Sequence, residues 1–173
     1  ERAVFEGAAA RATAATVLRP TLVYGAGRDQ TLSRIVDIAR RWHRFVLPRD
    51  ARGLRQPVHV RDLAAAAFAA TTVAATHGQA YALPGGETLT YRDMVARVLA
   101  VIEPPAKLSE VPSPLFNLLL AAAHAAGYAQ GFGEAAVKRM RSDLVFDITP
   151  AVRDFGYAPR PFRPTAEMFD ALD

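Results

Sequence analysis

The apolar positions of the chain alternate between short extended runs and stretches at helical spacing. Thr16, Val17 and Leu18 form an apolar run, β-branched at its start, that suits a buried strand. Arg19-Pro20 is expected to end it, because proline offers no N–H to a ladder and holds its predecessor extended. Ahead of it, residues 1–14 are rich in alanine and glutamate and read as a helix, with Val4 and Phe5 as its larger contacts. Leu32, Ile35, Val36 and Ala39 recur at helical spacing and predict an amphipathic helix over 30–42. Phe45 to Leu47 reads as a short strand stopped by Pro48, and Arg49 to Gly53 as a charged turn. Pro57 to Val60 is a second extended piece, running into Asp62 as an N-cap and a long alanine-rich helix that ends near His77-Gly78.

The second half continues the alternation. Ala80 to Leu83 predicts a strand closed by the turn Pro84-Gly85-Gly86. Thr90-Tyr91-Arg92-Asp93 is a capping-box variant that opens a helix through Val95, Val98, Leu99 and Ile102, broken by Pro104-Pro105. Leu108 to Val111 is expected as an edge strand and 134–140 as a short helix. Leu115 to Ala126 is a helix apolar nearly all round, expected to be buried in the domain or in a homodimer contact. A membrane-surface helix would carry a Lys/Arg-rich polar face, which this one lacks. Thr149-Pro150 opens a last helix, with proline at its first position, and Gly156 closes it. Short strands interleaved with helices predict an α/β fold.

Composition narrows the function classes. The 173 residues suit one domain, and 51% hydrophobic with 22% charged residues is ordinary for a globular protein. Zero cysteines exclude a disulfide framework and any thiolate metal site. The apolar stretch Pro114 to Gly127 is well short of the roughly 20 residues that cross a bilayer, so no membrane span is predicted. A net charge of +4 arises from arginine-rich clusters at Arg40-Arg41, Arg49 to Arg55 and Lys138 to Arg141. These suit a phosphate bed or a general arginine bias; no basic stripe interleaves with aromatics, so nucleic acid is not predicted. His43, His59, His77 and His124 show no metal-ligand spacing, and no metal is predicted. Trp42 and Phe45 read as core and rim.

The chemistry concentrates after the first strand. Thr21, Tyr24, two glycines and Arg28 follow a strand end, the edge of open parallel sheets where ligands bind. Leu18-Arg-Pro-Thr-Leu-Val-Tyr-Gly25, then Arg55-Gln-Pro-Val-His-Val-Arg-Asp-Leu-Ala64, then Phe146-Asp-Ile-Thr-Pro-Ala-Val-Arg-Asp-Phe-Gly-Tyr-Ala-Pro-Arg160 occur in an order that resembles the extended short-chain dehydrogenase/reductases. That family includes NAD(P)-dependent sugar-nucleotide epimerases and dehydratases. The resemblance implies the C-terminal part of a Rossmann-type fold with its small substrate-side α/β domain. It also implies NAD or NADP as cofactor, hydride transfer as the chemistry, a small and phosphate-bearing substrate, and a cytoplasmic setting.

Carried onto this sequence, the resemblance puts Pro20 and Thr21 beside the nicotinamide end of the cofactor. It makes Tyr24 and Arg55 substrate-binding, with Arg55 on a diphosphate; Arg28 at the strand end and His59, which faces away from Val58 and Val60, are further substrate-binding candidates, His59 with local bonding as its alternative. Thr21 stands where many relatives have asparagine, and Gln56-Pro57 replace the acidic and aromatic residues that follow this arginine in sugar-nucleotide enzymes, so substrate recognition is expected to differ. The family's glycine turn and Tyr-x-x-x-Lys pair have no counterpart: Lys107 and Lys138 are preceded at four residues by Glu103 and Glu134. No catalytic residue is therefore assigned within the chain, and the acid–base pair is expected ahead of Glu1; the alternative is a non-catalytic relative that uses the fold for assembly or NAD sensing.

Overall fold

A computed structural model describes residues 1–25, 30–128 and 133–169. In chain order the elements are α1 (Arg2–Ala9), β1 (Val17–Pro20), β2 (Val23–Tyr24), α2 (Gln30–Trp42), β3 (Arg44–Pro48), β4 (Leu54–Arg55), β5 (Val58–His59), α3 (Val60–Thr72), β6 (Ala80–Leu83), β7 (Leu89–Thr90), α4 (Tyr91–Leu99), β8 (Lys107–Val111), α5 (Ser113–Ala125), α6 (Glu134–Arg141) and α7 (Thr149–Phe155). They gather into two compact units, each drawn from three separate stretches of chain.

The first unit comprises Glu1–Val23, Gln56–Glu87 and Val145–Phe162. Here β1 pairs in parallel with β6, Val17 opposite Ala80 and Pro20 opposite Leu83. The strand thus runs through Pro20 instead of stopping before it. Pro20 holds the last pair, and the next N–H, that of Thr21, donates to the Leu83 carbonyl at 3.4 Å. Val58, Ala66, Tyr81, Leu83, Ala151 and Tyr157 form the core, with Leu18, Val23 and Phe155 packed against it. Val17 and Leu18 are only half-buried, and α1 ends at Ala9 with no buried residue. Helix α3 begins two residues before Asp62, with His59 as its cap. After Thr72 the chain passes through a 3-10 turn at Ala74–Thr76. At α7 the carboxylate of Asp147, not the Thr149 side chain, accepts the first N–H, from Thr149 at 2.9 Å. Gly156 ends that helix at φ +68°, a left-handed conformation that a side chain would strain.

The second unit comprises Tyr24–Arg55, Thr88–Leu144 and Arg163–Asp173. Strands β3 and β8 run parallel, Arg44 opposite Lys107 and Pro48 opposite Val111, and β4 pairs antiparallel with β7. Leu32, Ile35, Val36 and Ala39 of α2 are all buried, as their spacing predicts, and α2 packs on β3 and α4. Thr90 caps α4, its hydroxyl accepting the Asp93 N–H at 3.1 Å. Helix α5 is not buried within the domain, the first of the two covers expected for it. Only Phe116 is buried, while Leu115, Leu118 and Leu119 face outward at 43%, 66% and 46% exposure. Trp42, read as core or rim, is also largely exposed; its ring meets Tyr128 edge-on at 5.8 Å, and the Arg41 guanidinium lies over both.

Among the described residues no helix is long and apolar enough to cross a membrane, and no group of three His, Asp or Glu side chains is placed to hold a metal.

The tightest backbone approach in the first unit is at Gly85, where an added Cβ would stand 1.8 Å from the Pro57 carbonyl oxygen. Gly85→Ala must push two main-chain segments apart, so we expect a loss of about 1–3 kcal/mol, read as a lower urea midpoint at unchanged slope.

Candidate functional site

The carboxyl ends of β1 and β6 meet the chain entering β5, and main-chain bonds lock the junction. The Gln56 carbonyl accepts the Thr21 hydroxyl and, at 3.0 Å, the Gly85 N–H. The Val58 N–H donates to Leu22 at 2.9 Å. The closing segment is tied in as well: the Phe146 N–H donates to the Gln56 side-chain oxygen at 2.8 Å, and the Tyr157 hydroxyl to the Pro84 carbonyl at 2.9 Å. Of the residues expected at the cofactor, Pro20 is exposed at this rim and Thr21 is half-buried with its hydroxyl committed to Gln56. The rim offers a carbonyl and a flat proline surface to a ring. Among the described residues it offers no glycine nest for a diphosphate.

His59 lies in the same unit and is 4% exposed. Its Nδ1 accepts the Arg61 N–H at 3.1 Å, capping α3. An accepting Nδ1 requires a neutral ring. Burial holds the imidazole below its usual value, Arg160 and Arg61 push the same way, and Asp62 opposes them. Asp62 does not cap the helix: its carboxylate takes the Arg160 main-chain N–H at 2.9 Å and the guanidinium at 2.7 Å, anchoring the closing segment.

Tyr24 and Arg55 belong to the second unit. Tyr24 is buried, and its hydroxyl accepts the Arg163 N–H at 3.4 Å. Arg55, expected to meet a phosphate, is 4% exposed and serves the main chain instead. Its Nη1 donates to Leu54 and Ser142 carbonyls at 2.7 Å each, and its Nη2 to the Arg139 carbonyl. The guanidinium also lies 5.3 Å from the Tyr91 ring centroid. Desolvation pulls Arg55 below the ordinary guanidinium value, with Tyr91 and Asp143 offsetting it. Arg28 lies outside the described residues.

Three tyrosines are shifted, all upward. Burial raises Tyr81 and Tyr91 to about 12, Tyr81 with help from its 2.7 Å bond to Asp154, and burial raises Tyr157 as well. A catalytic phenol needs a value near the working pH. All three stay protonated, and the hydroxyls of Tyr81 and Tyr157 act as structural donors, to Asp154 and to the Pro84 carbonyl. Sequence reasoning missed the roles of Gln56, Tyr157 and Arg160, all inside the recognisable motif blocks; only the three-dimensional closure gives them partners.

Residues 1–83 match the NAD dependent epimerase/dehydratase family. Two curated relatives are reductases. A (4-alkanoyl-5-oxo-2,5-dihydrofuran-3-yl)methyl phosphate reductase of Streptomyces griseus is 33% identical over 107 residues, 61% of this chain and 38% of that protein. A 2-alkyl-3-oxoalkanoate reductase of Stenotrophomonas maltophilia is 29% identical over 174 residues, 88% and 49%. The chain thus spans about half the length, or less, of these relatives. Among solved structures, an epimerase of Methanothermobacter thermautotrophicus shares the fold at a TM-score of 0.67 and 16% identity, covering 96% of this chain and 45% of that one. The chain thus shares an α/β, Rossmann-type fold.

Arg55→Ala should cost about 2–4 kcal/mol in a urea titration, because carbonyls lose a charged partner; a solvated or ligand-facing arginine would leave stability unchanged. For His59, the folded-state value lies below the ordinary 6.5, so the unfolded chain takes the proton first. Its contribution is complete above pH 6.5 and is lost as pH falls through the folded value, with a slope of at most ~1.4 kcal/mol per pH unit. His59→Gln should flatten the melting temperature profile below pH 6.5; an unaltered slope would assign the pH dependence to other groups.

Proposed function

We propose that this chain forms the substrate-side part, with the last sheet strands, of an NAD(P)-dependent reductase that acts on a small carbonyl compound bearing an acidic group. The carrying observation is the pair of curated reductases, one aligned over 88% of the chain and the other named for a phosphate substrate. Their named substrates combine a carboxylate or phosphate with an alkyl or alkanoyl group. A nucleotide-sugar substrate is the less favoured reading. Gln56-Pro57 replace the residues expected in such enzymes, and the Arg55 guanidinium is committed to main-chain carbonyls.

When bound, the dinucleotide would supply hydride to the carbonyl carbon while a proton reaches the carbonyl oxygen, giving an alcohol and oxidised cofactor. The chain's own contribution is positional. Pro20 would border the nicotinamide, Thr21 fixes that rim through Gln56, and His59 and Asp62 hold α3 and the closing segment behind it. The proton-transferring pair and the glycine turn are proposed to lie ahead of Glu1, in a cytoplasmic enzyme that forms homodimers.

The 173 residues by themselves are expected to show no turnover and no micromolar NADPH binding in a calorimetric titration; micromolar binding would contradict this division of labour. Joined to a half carrying the glycine turn and Tyr-x-x-x-Lys pair, the protein should oxidise NADPH with a 2-alkyl-3-oxoalkanoate and not with a UDP-sugar. The reverse preference would sink the reductase reading.

A further inference from the structure

We propose that the cleft between α5 and α6 binds an amphiphilic anion: one carboxylate or phosphate carried on an aliphatic chain. The cleft measures about 880 Å³, within the range of small-molecule sites. Leu120 and Ala121 of α5 and Val137 of α6 give it an apolar wall. Asn117 and His124 of α5 and Lys138 and Arg141 of α6 give it polar groups that can donate hydrogen bonds, and no carboxylate is among the described residues that line it. Arg141 is paired with Asp50 at 2.8 Å, so its charge is largely balanced, and Lys138 contributes the net positive charge. The site therefore suits a single anionic head with an uncharged body.

Basic residues in the last turn of α6 also complement the helix dipole. That accounts for Lys138 and Arg141 as residue types. It does not account for Asn117 and His124, which line the same cleft from the facing helix. A cation beside an amide and an imidazole, above aliphatic side chains, is a recognition surface for an acid with a tail.

The inference deepens the reductase reading by naming where the substrate's acidic group and chain would sit, yet it is testable without cofactor or turnover. Calorimetric titration of the chain with octanoate, octyl phosphate and octanol separates the head group from the tail. We expect one-to-one binding of at least one anion, with octanol at least about tenfold weaker, the size of one charge-assisted hydrogen bond. The preference between octanoate and octyl phosphate then tells which acid the site is built for. Lys138→Gln, at an exposed position, should weaken the anion about tenfold and leave octanol unchanged. Ala121→Trp, which fills the cleft, should abolish all binding. Equal affinity for octanol, an unaffected Lys138→Gln variant, or no binding of either anion would overturn the proposal. Such a failure alongside NADPH-dependent turnover in the joined protein would leave the reductase reading standing; anion binding without such turnover would do the opposite.

Discussion

The first unit depends on the two oxygens of Gln56. Its carbonyl holds the hydroxyl of Thr21 and the N–H of Gly85, and its side chain holds the N–H of Phe146. A single residue therefore joins the end of β1, the turn after β6 and the closing segment. Each bond is worth only about 0.5–1.5 kcal/mol net, but stranding a buried donor costs about 1–3. The three segments are thereby obliged to move together. Such coupling would serve the cofactor rim proposed at Pro20 and Thr21, because a misplaced rim loses the alignment of reacting atoms.

Charge is used inward in both units. Arg55 gives its forked donors to carbonyls of Leu54, Arg139 and Ser142, and Asp62 gives its oxygens to Arg160. Arg55 thereby satisfies carbonyls at the end of α6 and in β4, and Asp62 ties down a closing segment that lies outside any helix or strand. The guanidinium suits this work because its donors are planar and fixed, so several carbonyls can be met at little entropic cost.

Much of this was legible in the chain. The burial of Leu32, Ile35, Val36 and Ala39 follows from spacing, and the Thr90 cap follows from its position before a periodic run. The three motif blocks pointed to the family that residues 1–83 match. What escaped was long-range. Asp62 has the composition of a cap, but His59 occupies that place because the helix starts earlier. Arg55 sits in a charged, outwardly polar stretch, and only carbonyls more than eighty residues away bring it inside. Helix α5 shows the same limit in reverse. Its leucines announce a helix with an apolar surface, yet composition does not say what covers that surface, and in this chain Leu118 faces outward.

The position of Trp42 bears on how the protein can be watched. It is the sole tryptophan, it is 56% exposed, and its neighbours are Tyr128 and Arg41 at the surface. Its fluorescence therefore reports the end of α2 and the turn after α5 instead of the core. The buried Tyr24, Tyr81, Tyr91 and Tyr157 lie in asymmetric packed surroundings and carry the near-ultraviolet circular dichroism. The two spectroscopies thus observe different parts of one molecule, and a disagreement between their melting curves would locate where unfolding begins.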